Sequence, residues 1–238
     1  MTYLDLDRLA ALDAAAFRQQ EPFPWANPRG LLTDHGYRQL VAALPDVSMF
    51  KHSFGYKRIH GQQSHDRYAL EYTEDIDIPG PWQEFIAELR SEPYRAFVKR
   101  MFGITRFDMY FHWHYALRGC SVSPHCDAQR KVGSHIFYLN TPEDWDPAWG
   151  GETRVLFDNG RFKSSSAPRF EDFDRSLAAE TLGNYSFLFQ RTPHSWHGVR
   201  ELACPEGRMR KIFIAVINKP PSPSVRLRRL VGNLPKAH

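Results

Sequence analysis

From Leu4 to Gln20 the apolar residues Leu6, Leu9, Leu12, Ala16 and Phe17 recur at helical spacing, which keeps one stripe of an α-helix apolar. The spacing predicts one helix there with a single buried face. A second helix, N-capped by Asp34, is predicted to bury Tyr37, Leu40, Val41 and Leu44. The stretch GQQSHDRYALEYTEDIDIPG is polar and irregular, and helical spacing returns over residues 81–90 and 94–102. Residues 1–104 are therefore expected to be mostly helical.

The period changes near Arg106. In RFDMYFHWHYA, Phe107, Met109, Phe111, Trp113 and Tyr115 alternate with Asp108, Tyr110, His112 and His114, the two-residue repeat of a β-strand. Strand-like runs follow at VGSHIFYLN, TRVLFD, NYSFLFQ and MRKIFIAVIN, and Asp158-Asn159-Gly160 signals a tight turn. Short strands separated by turns predict an antiparallel sandwich or barrel. Residues 220–238 open on Pro and Ser and then turn basic, so they read as a tail.

Composition narrows this picture. A chain of 238 residues suits one well-buried core, and an aromatic share of 14% suits a compact β-rich one. No apolar run approaches the roughly 18 residues that a membrane span needs. The opening MTYLDLDRLAALDAAAF has acidic residues where a secretory leader has basic ones, so a cytoplasmic protein with no membrane partner is expected. The net charge of +4 is spread along the chain, and nucleic acid is not the expected partner. Cys120, Cys126 and Cys204 form neither an even set nor a CxxC pair, which argues against a disulfide framework or zinc knuckle.

Chemistry concentrates in SVSPHCDAQRK and RTPHSWHGVRE. On an extended chain His125 and Asp127 project from the same face, about 7 Å apart at Cα, and can converge on one ion. The second run offers a third ligand, His194 or His197. Two imidazoles and one carboxylate on one face of an octahedron leave three adjacent positions open, as in iron(II) oxygenases. A His and an Asp two apart more often mark a surface turn or a hydrogen-bonded pair, so the weight rests on the surrounding runs.

Those runs are ordered: a tyrosine on the incoming strand (HYALRGCSVSPHCD), the HxD pair, FYLNTPEDWDPAWGGE, PHSWHGV, and a basic residue on RMRKIFIAVIN. Over residues 110–218 the chain resembles the 2-oxoglutarate and iron(II)-dependent dioxygenase superfamily, in its prolyl-hydroxylase-like branch. The resemblance implies a mainly β fold, a double-stranded β-helix (distorted jelly roll) over residues 105–219, with the N-terminal helices packed on its larger sheet. Residues 1–219 would form one domain. The implied ligands of Fe(II) are His125, Asp127 and His197, with 2-oxoglutarate as cosubstrate and dioxygen as oxidant. His197 is preferred over His194 because the family's distal ligand is followed after one residue by Val, as in His197-Gly198-Val199.

The family anchors the distal carboxylate of 2-oxoglutarate with Arg or Lys a dozen or so residues beyond that histidine, because a guanidinium matches a carboxylate with two parallel hydrogen bonds. Arg208, Arg210 and Lys211 stand there. Alternation puts Arg208 and Arg210 on one face with Ile212, Ile214 and Val216, and Lys211 on the other. Arg210 is the first choice and Arg208 the second; Ile212 departs from the Ser or similar residue that many relatives carry. Tyr138 is expected to bond the same carboxylate, and Tyr115 to help at the keto-acid end or the entrance. With Tyr115, Trp113 and Phe111 turned inward, His112 and His114 fall on the opposite face and are not expected as ligands; neither is Cys126. Gly150-Gly151 is expected to serve backbone geometry.

The implied reaction couples oxidative decarboxylation of 2-oxoglutarate to hydroxylation of a small molecule or peptide. Asp127 argues against a halogenase, in which this carboxylate is replaced. Tyr115, Arg130, Trp145, Trp149 and Trp196, with Gln62, Gln63 and His65, are candidates for the pocket mouth. A cupin usually supplies two histidines two apart, where this chain has HCD. A binding module on the same scaffold would lack a ligand or the basic anchor. A nucleic-acid demethylase would want a basic groove, and only the tail, with Arg226, Arg228, Arg229 and Lys236, is locally basic.

Overall fold

The computed structural model describes residues 2–56 and 61–221. Local capping sets the first helices. Asp5 accepts from the Arg8 amide and caps α1 (Leu6–Ala11), and Asp13 accepts from the amides of Ala15 and Ala16 and caps α2 (Ala14–Gln19). The single helix expected over residues 4–20 is therefore two, because an aspartate satisfies orphan amides as a cap and none in a helix interior. Thr33, not Asp34, caps α3 (Asp34–Ala42), its hydroxyl accepting from Gly36. Next come α4 (Gly80–Arg90) and α5 (Glu92–Phe102), each with proline in its first turn, where the missing N–H costs nothing.

Eleven strands among the described residues form two antiparallel sheets. They are β1 (Trp25–Ala26), β2 (Lys51–Ser53), β3 (Arg67–Glu71), β4 (Asp108–Ala116), β5 (Val122–His125) and β6 (Lys131–Tyr138), then β7 (Arg154–Phe157), β8 (Arg175–Ala178), β9 (Ser186–Gln190), β10 (His197–Val199) and β11 (Arg210–Asn218). The larger sheet runs β1-β9-β6-β11-β4-β3-β2 and the smaller β5-β10-β7-β8. The first hundred residues are thus less purely helical than expected, since they supply β1, β2 and β3 to the edges of the larger sheet.

The helices pack on one face of that sheet. Trp82 of α4 meets Trp113 of β4 at 5.1 Å between ring centroids and Phe213 of β11 at 4.9 Å. This contact reverses the expected faces of β4. Phe111, Trp113 and Tyr115 are buried toward the helices, while Tyr110, His112 and His114 line a cavity between the sheets. The aromatic face goes to the helical layer because that layer is apolar, and each large side chain buried there contributes about 1.5–3 kcal/mol. Groups that need hydration or partners take the cavity side. On β11, likewise, Phe213, Ala215 and Ile217 join the helix-facing core, and Arg210, Ile212, Ile214, Val216 and Asn218 line the cavity.

The basic residues Arg226, Arg228, Arg229 and Lys236 of the tail lie outside the described residues. No helix among the described residues is long and apolar enough to cross a membrane.

Candidate active site

His125 ends β5 and His197 begins β10, and the two are directly opposed in the register of that pair. Their rings stand 4.4 Å apart between centroids. Each Nδ1 lies 2.9 Å from a backbone carbonyl two residues upstream, that of Ser123 for His125 and of Ser195 for His197. A carbonyl only accepts, so Nδ1 carries a proton and Nε2 is the nitrogen left to meet a metal. Gly198 makes the strand pairing possible: a Cβ there would fall 2.6 Å from the Val122 carbonyl oxygen.

Asp127 follows β5 by two residues. Its Oδ1 is 3.9 Å from Nε2 of His125 and 2.8 Å from Nζ of Lys131. The ligand atoms of His125, Asp127 and His197 all lie within 4.8 Å of one another. Two imidazoles and one carboxylate are a donor set that suits iron(II). His194 stands apart, pairing with Asp158 at 2.8 Å.

The cavity encloses about 990 Å³ and contains all three of these residues and Arg210. Arg210 opens β11, is 8% exposed, and donates through Nε to the Gly151 carbonyl. Among the described residues no carboxylate pairs with it, and its terminal nitrogens have no protein partner. Burial holds its pKa below the ordinary value. A buried guanidinium with an open fork is matched to a carboxylate that arrives from outside.

Among solved structures the chain is similar to a prolyl-4-hydroxylase from Pseudomonas putida, at 16% identity and a TM-score of 0.61 over 87% of this chain and 98% of that one. It is similar to a prolyl hydroxylase from Trichoplax adhaerens, in complex with a peptide fragment of the hypoxia inducible factor oxygen degradation domain, at 13% identity and a TM-score of 0.61 over 90% of each chain. A third is SnoK, a non-haem α-ketoglutarate-dependent carbocyclase from nogalamycin biosynthesis, at 10% identity and a TM-score of 0.60 over 93% and 92%. The chain has the fold of the 2-oxoglutarate and iron(II) oxygenases. No family model matches it, and no curated protein matches it in sequence.

Within this oxygenase fold the remaining expected residues divide. Tyr138 lies beside Arg210, whose Cζ is 5.7 Å from the ring centre, and its hydroxyl donates to Thr153 Oγ1 at 2.7 Å. Burial pushes that phenol up to about 12. Arg208 is exposed in the loop before β11, and Lys211 pairs with Asp144 on the far side of the sheet. Tyr115 is on the helix-facing side too, stacked on Phe50 at 4.3 Å with its hydroxyl donating to Pro45 O at 3.2 Å. Neither Arg208 nor Tyr115 reaches the cavity.

His114 is there instead. It stands opposite Ile212 in the β4–β11 register, lines the cavity, and is held well below the ordinary histidine pKa by desolvation and by the charge of Arg67. The polar face of the β4 alternation carries its signal, once that face is known to be the inner one. It is not part of the His125–Asp127–His197 group.

Of the residues expected at the mouth, Arg130 and His65 line the cavity, and the His65 ring packs on His125 at 4.5 Å. Trp196 is buried with Leu156 and Phe173, and Trp145 and Trp149 pack on each other in another apolar cluster. Gln62 is buried and donates to Ser166 O at 3.0 Å. Gln63 meets Ser123 through its carbonyl. Cys126 turns its thiol toward Pro193 O, 3.4 Å away, and burial pushes the thiol up to about 12.

Proposed function

We propose that this chain is an iron(II)- and 2-oxoglutarate-dependent oxygenase that hydroxylates an unactivated C–H bond of a small molecule or peptide side chain, releasing succinate and carbon dioxide. The observation that carries this is the convergence of His125, Asp127 and His197 in a cavity that also holds the guanidinium of Arg210, which forms no ion pair among the described residues. In this reading residues 1–219 act as one domain in a reducing cytoplasm, consistent with three free cysteines.

His125 and His197 would hold the metal through Nε2, and Asp127 through its carboxylate. Bound there with 2-oxoglutarate and dioxygen, iron(II) supplies an oxidant strong enough to break a C–H bond. Lys131 fixes Oδ1 of Asp127 through a charge-assisted hydrogen bond. Arg210 would bind the distal carboxylate of 2-oxoglutarate, with Tyr138 and Thr153 positioning its guanidinium from one side and Gly151 from the other. Ile212, Ile214 and Val216 make the floor of the cavity apolar, which limits water at the reacting atoms.

The test is succinate formation from 2-oxoglutarate by anaerobically purified protein given iron(II) and then air, with and without candidate substrates, beside Asp127→Ala. Succinate that disappears in the variant is the expected result. Absence of both iron and 2-oxoglutarate binding would sink the proposal in favour of a binding module.

A further inference from the structure

The oxygenase reading uses one arginine of the cavity and leaves another without a role. Arg67 of β3 lines the same space. Its Nη1 donates to the His65 carbonyl at 2.7 Å, and its Nε is buried with no hydrogen-bond partner among the described residues. No carboxylate pairs with it among the described residues; the adjacent Asp66 turns Oδ1 to the Gly55 amide at 2.8 Å.

Sheet register fixes where Arg67 stands. Tyr68 is opposite Tyr115 on β4, and Ala116 is opposite Arg210 on β11. One residue along, Arg67 shares a row with Arg210 on the other side of Ala116. Two strand spacings separate them, roughly 10 Å at Cα. His114, two residues along β4 from Ala116 and next on the same face, feels both charges, that of Arg67 more strongly. On β2, Ser53 is opposite Arg67 and Lys51 opposite Ala69, and both residues line the cavity. This corner therefore offers a guanidinium, an ammonium and a hydroxyl, beside one carboxylate, Asp66, that is turned to the Gly55 amide. Glu71, further along β3 and opposite His112, confines the anion-attracting region to that corner.

2-Oxoglutarate is a dianion, and in the reading above its two carboxylates are taken by the metal and by Arg210. Arg67 is then a partly buried guanidinium whose nearest counter-charge, Asp66, makes no ion pair with it among the described residues, an arrangement that an arriving anion would complete. We propose that the substrate carries a carboxylate and that Arg67 is the residue that binds it, across the cavity from the 2-oxoglutarate anchor. The proposal rests on the oxygenase reading and narrows its substrate to carboxylic acids, whether free or at the end of a peptide.

The experiment uses the full chain, labelled with 15N, loaded with zinc(II) in place of iron to stop turnover, and saturated with 2-oxoglutarate. Sodium propionate is titrated in, with propionamide as the neutral control, and the arginine Nε–H signals are followed. The Arg67 signal is identified as the one missing in Arg67→Lys. Propionate is expected to shift it saturably with a midpoint of about 1–30 mM, the range of one charge-assisted contact, while propionamide leaves it in place. In Arg67→Lys the dissociation constant for 2-oxoglutarate is expected to stay within about threefold of the wild-type value, since the lysine keeps the charge but not the fork.

An Arg67 signal that propionate does not move at about 0.1 M, well above that range, would overturn the proposal. So would a loss of 2-oxoglutarate affinity in Arg67→Lys as large as that in Arg210→Met, which would make Arg67 a second anchor for the cosubstrate. A wild-type chain that binds neither zinc(II) nor 2-oxoglutarate would sink the oxygenase reading and the substrate assignment together, an outcome distinct from a silent propionate titration alone.

Discussion

Gly151 offers its carbonyl oxygen to Nε of Arg210, and it does so from a backbone φ of +98° that L side chains rarely adopt. A Cβ at this position would stand 3.1 Å from Cδ of Arg210 and 3.3 Å from Cζ2 of Trp145. Gly151→Ala is therefore expected to destabilise the fold by about 1–3 kcal/mol. Because the guanidinium must shift, 2-oxoglutarate affinity should fall about tenfold. Urea unfolding and calorimetric titration of the zinc(II) form measure the two effects separately.

Arg210 and Arg208 were equivalent by strand alternation, yet one is buried in the cavity and the other exposed in a loop. Arg210→Met is expected to weaken 2-oxoglutarate binding by about 30-fold or more, as losing a buried charge partner does. Arg208→Ala should leave the dissociation constant unchanged. Equal losses in both variants would contradict the assignment.

The choice between His197 and His194 can be tested by metal content. His197→Ala and Asp127→Ala should each lower iron(II) affinity by more than about 100-fold, above the range seen for outer-shell partners. His194→Ala breaks only the pair with Asp158 and should keep iron and succinate formation. Retention of iron by His197→Ala would exclude the proposed ligand set.

Tyr138 and Tyr115 separate in the same way. Tyr138→Phe removes the hydroxyl that meets Thr153 beside Arg210 and should raise the dissociation constant for 2-oxoglutarate several-fold. Tyr115→Phe removes only the bond to Pro45. It should cost about 0.5–1.5 kcal/mol of stability and leave 2-oxoglutarate binding alone, as titration and urea midpoints will check.

His135 gives the fold a pH dependence. It is buried between Tyr94, whose hydroxyl is 2.9 Å from Nδ1, and Ser186, whose Oγ is 3.0 Å from Nε2, and desolvation lowers its pKa to about 3. In the unfolded chain it titrates near 6.5, so between those values the unfolded state binds the extra proton. The stabilisation is complete above about pH 6.5 and declines as pH falls toward 3, by up to about 1.4 kcal/mol per pH unit. Urea midpoints measured from pH 7.5 down to 5 should fall more steeply for the wild type than for His135→Gln.

The convergence of His125 and Asp127 was legible because their spacing is local: two residues apart on an extended chain already share a face. The helices at residues 81–90 and 94–102 and the long strands β4, β6, β9 and β11 were legible for the same reason, since periodicity is written within each segment. β3 was not legible. Its cavity face, Arg67, Ala69 and Glu71, is mostly polar, and the partner that makes it a strand is β4, some forty residues later. Asp13 divided a helix that apolar spacing alone had joined.

Sequence alone determined which residue types could bind a metal and a carboxylate, and the order in which the chain presents them. Tertiary structure decided which of them meet. Alternation on β4 defines two faces but not which of them looks inward; that was settled when Trp82 and Phe85 brought an apolar layer against Trp113 and Phe213. The aromatic side, Tyr115 included, turned to the helices, and His114 came to face the cavity. The physical reason is that period is a property of neighbours in the chain, whereas facing minimises the exposed apolar area of the whole core, a sum over contacts between residues far apart in sequence.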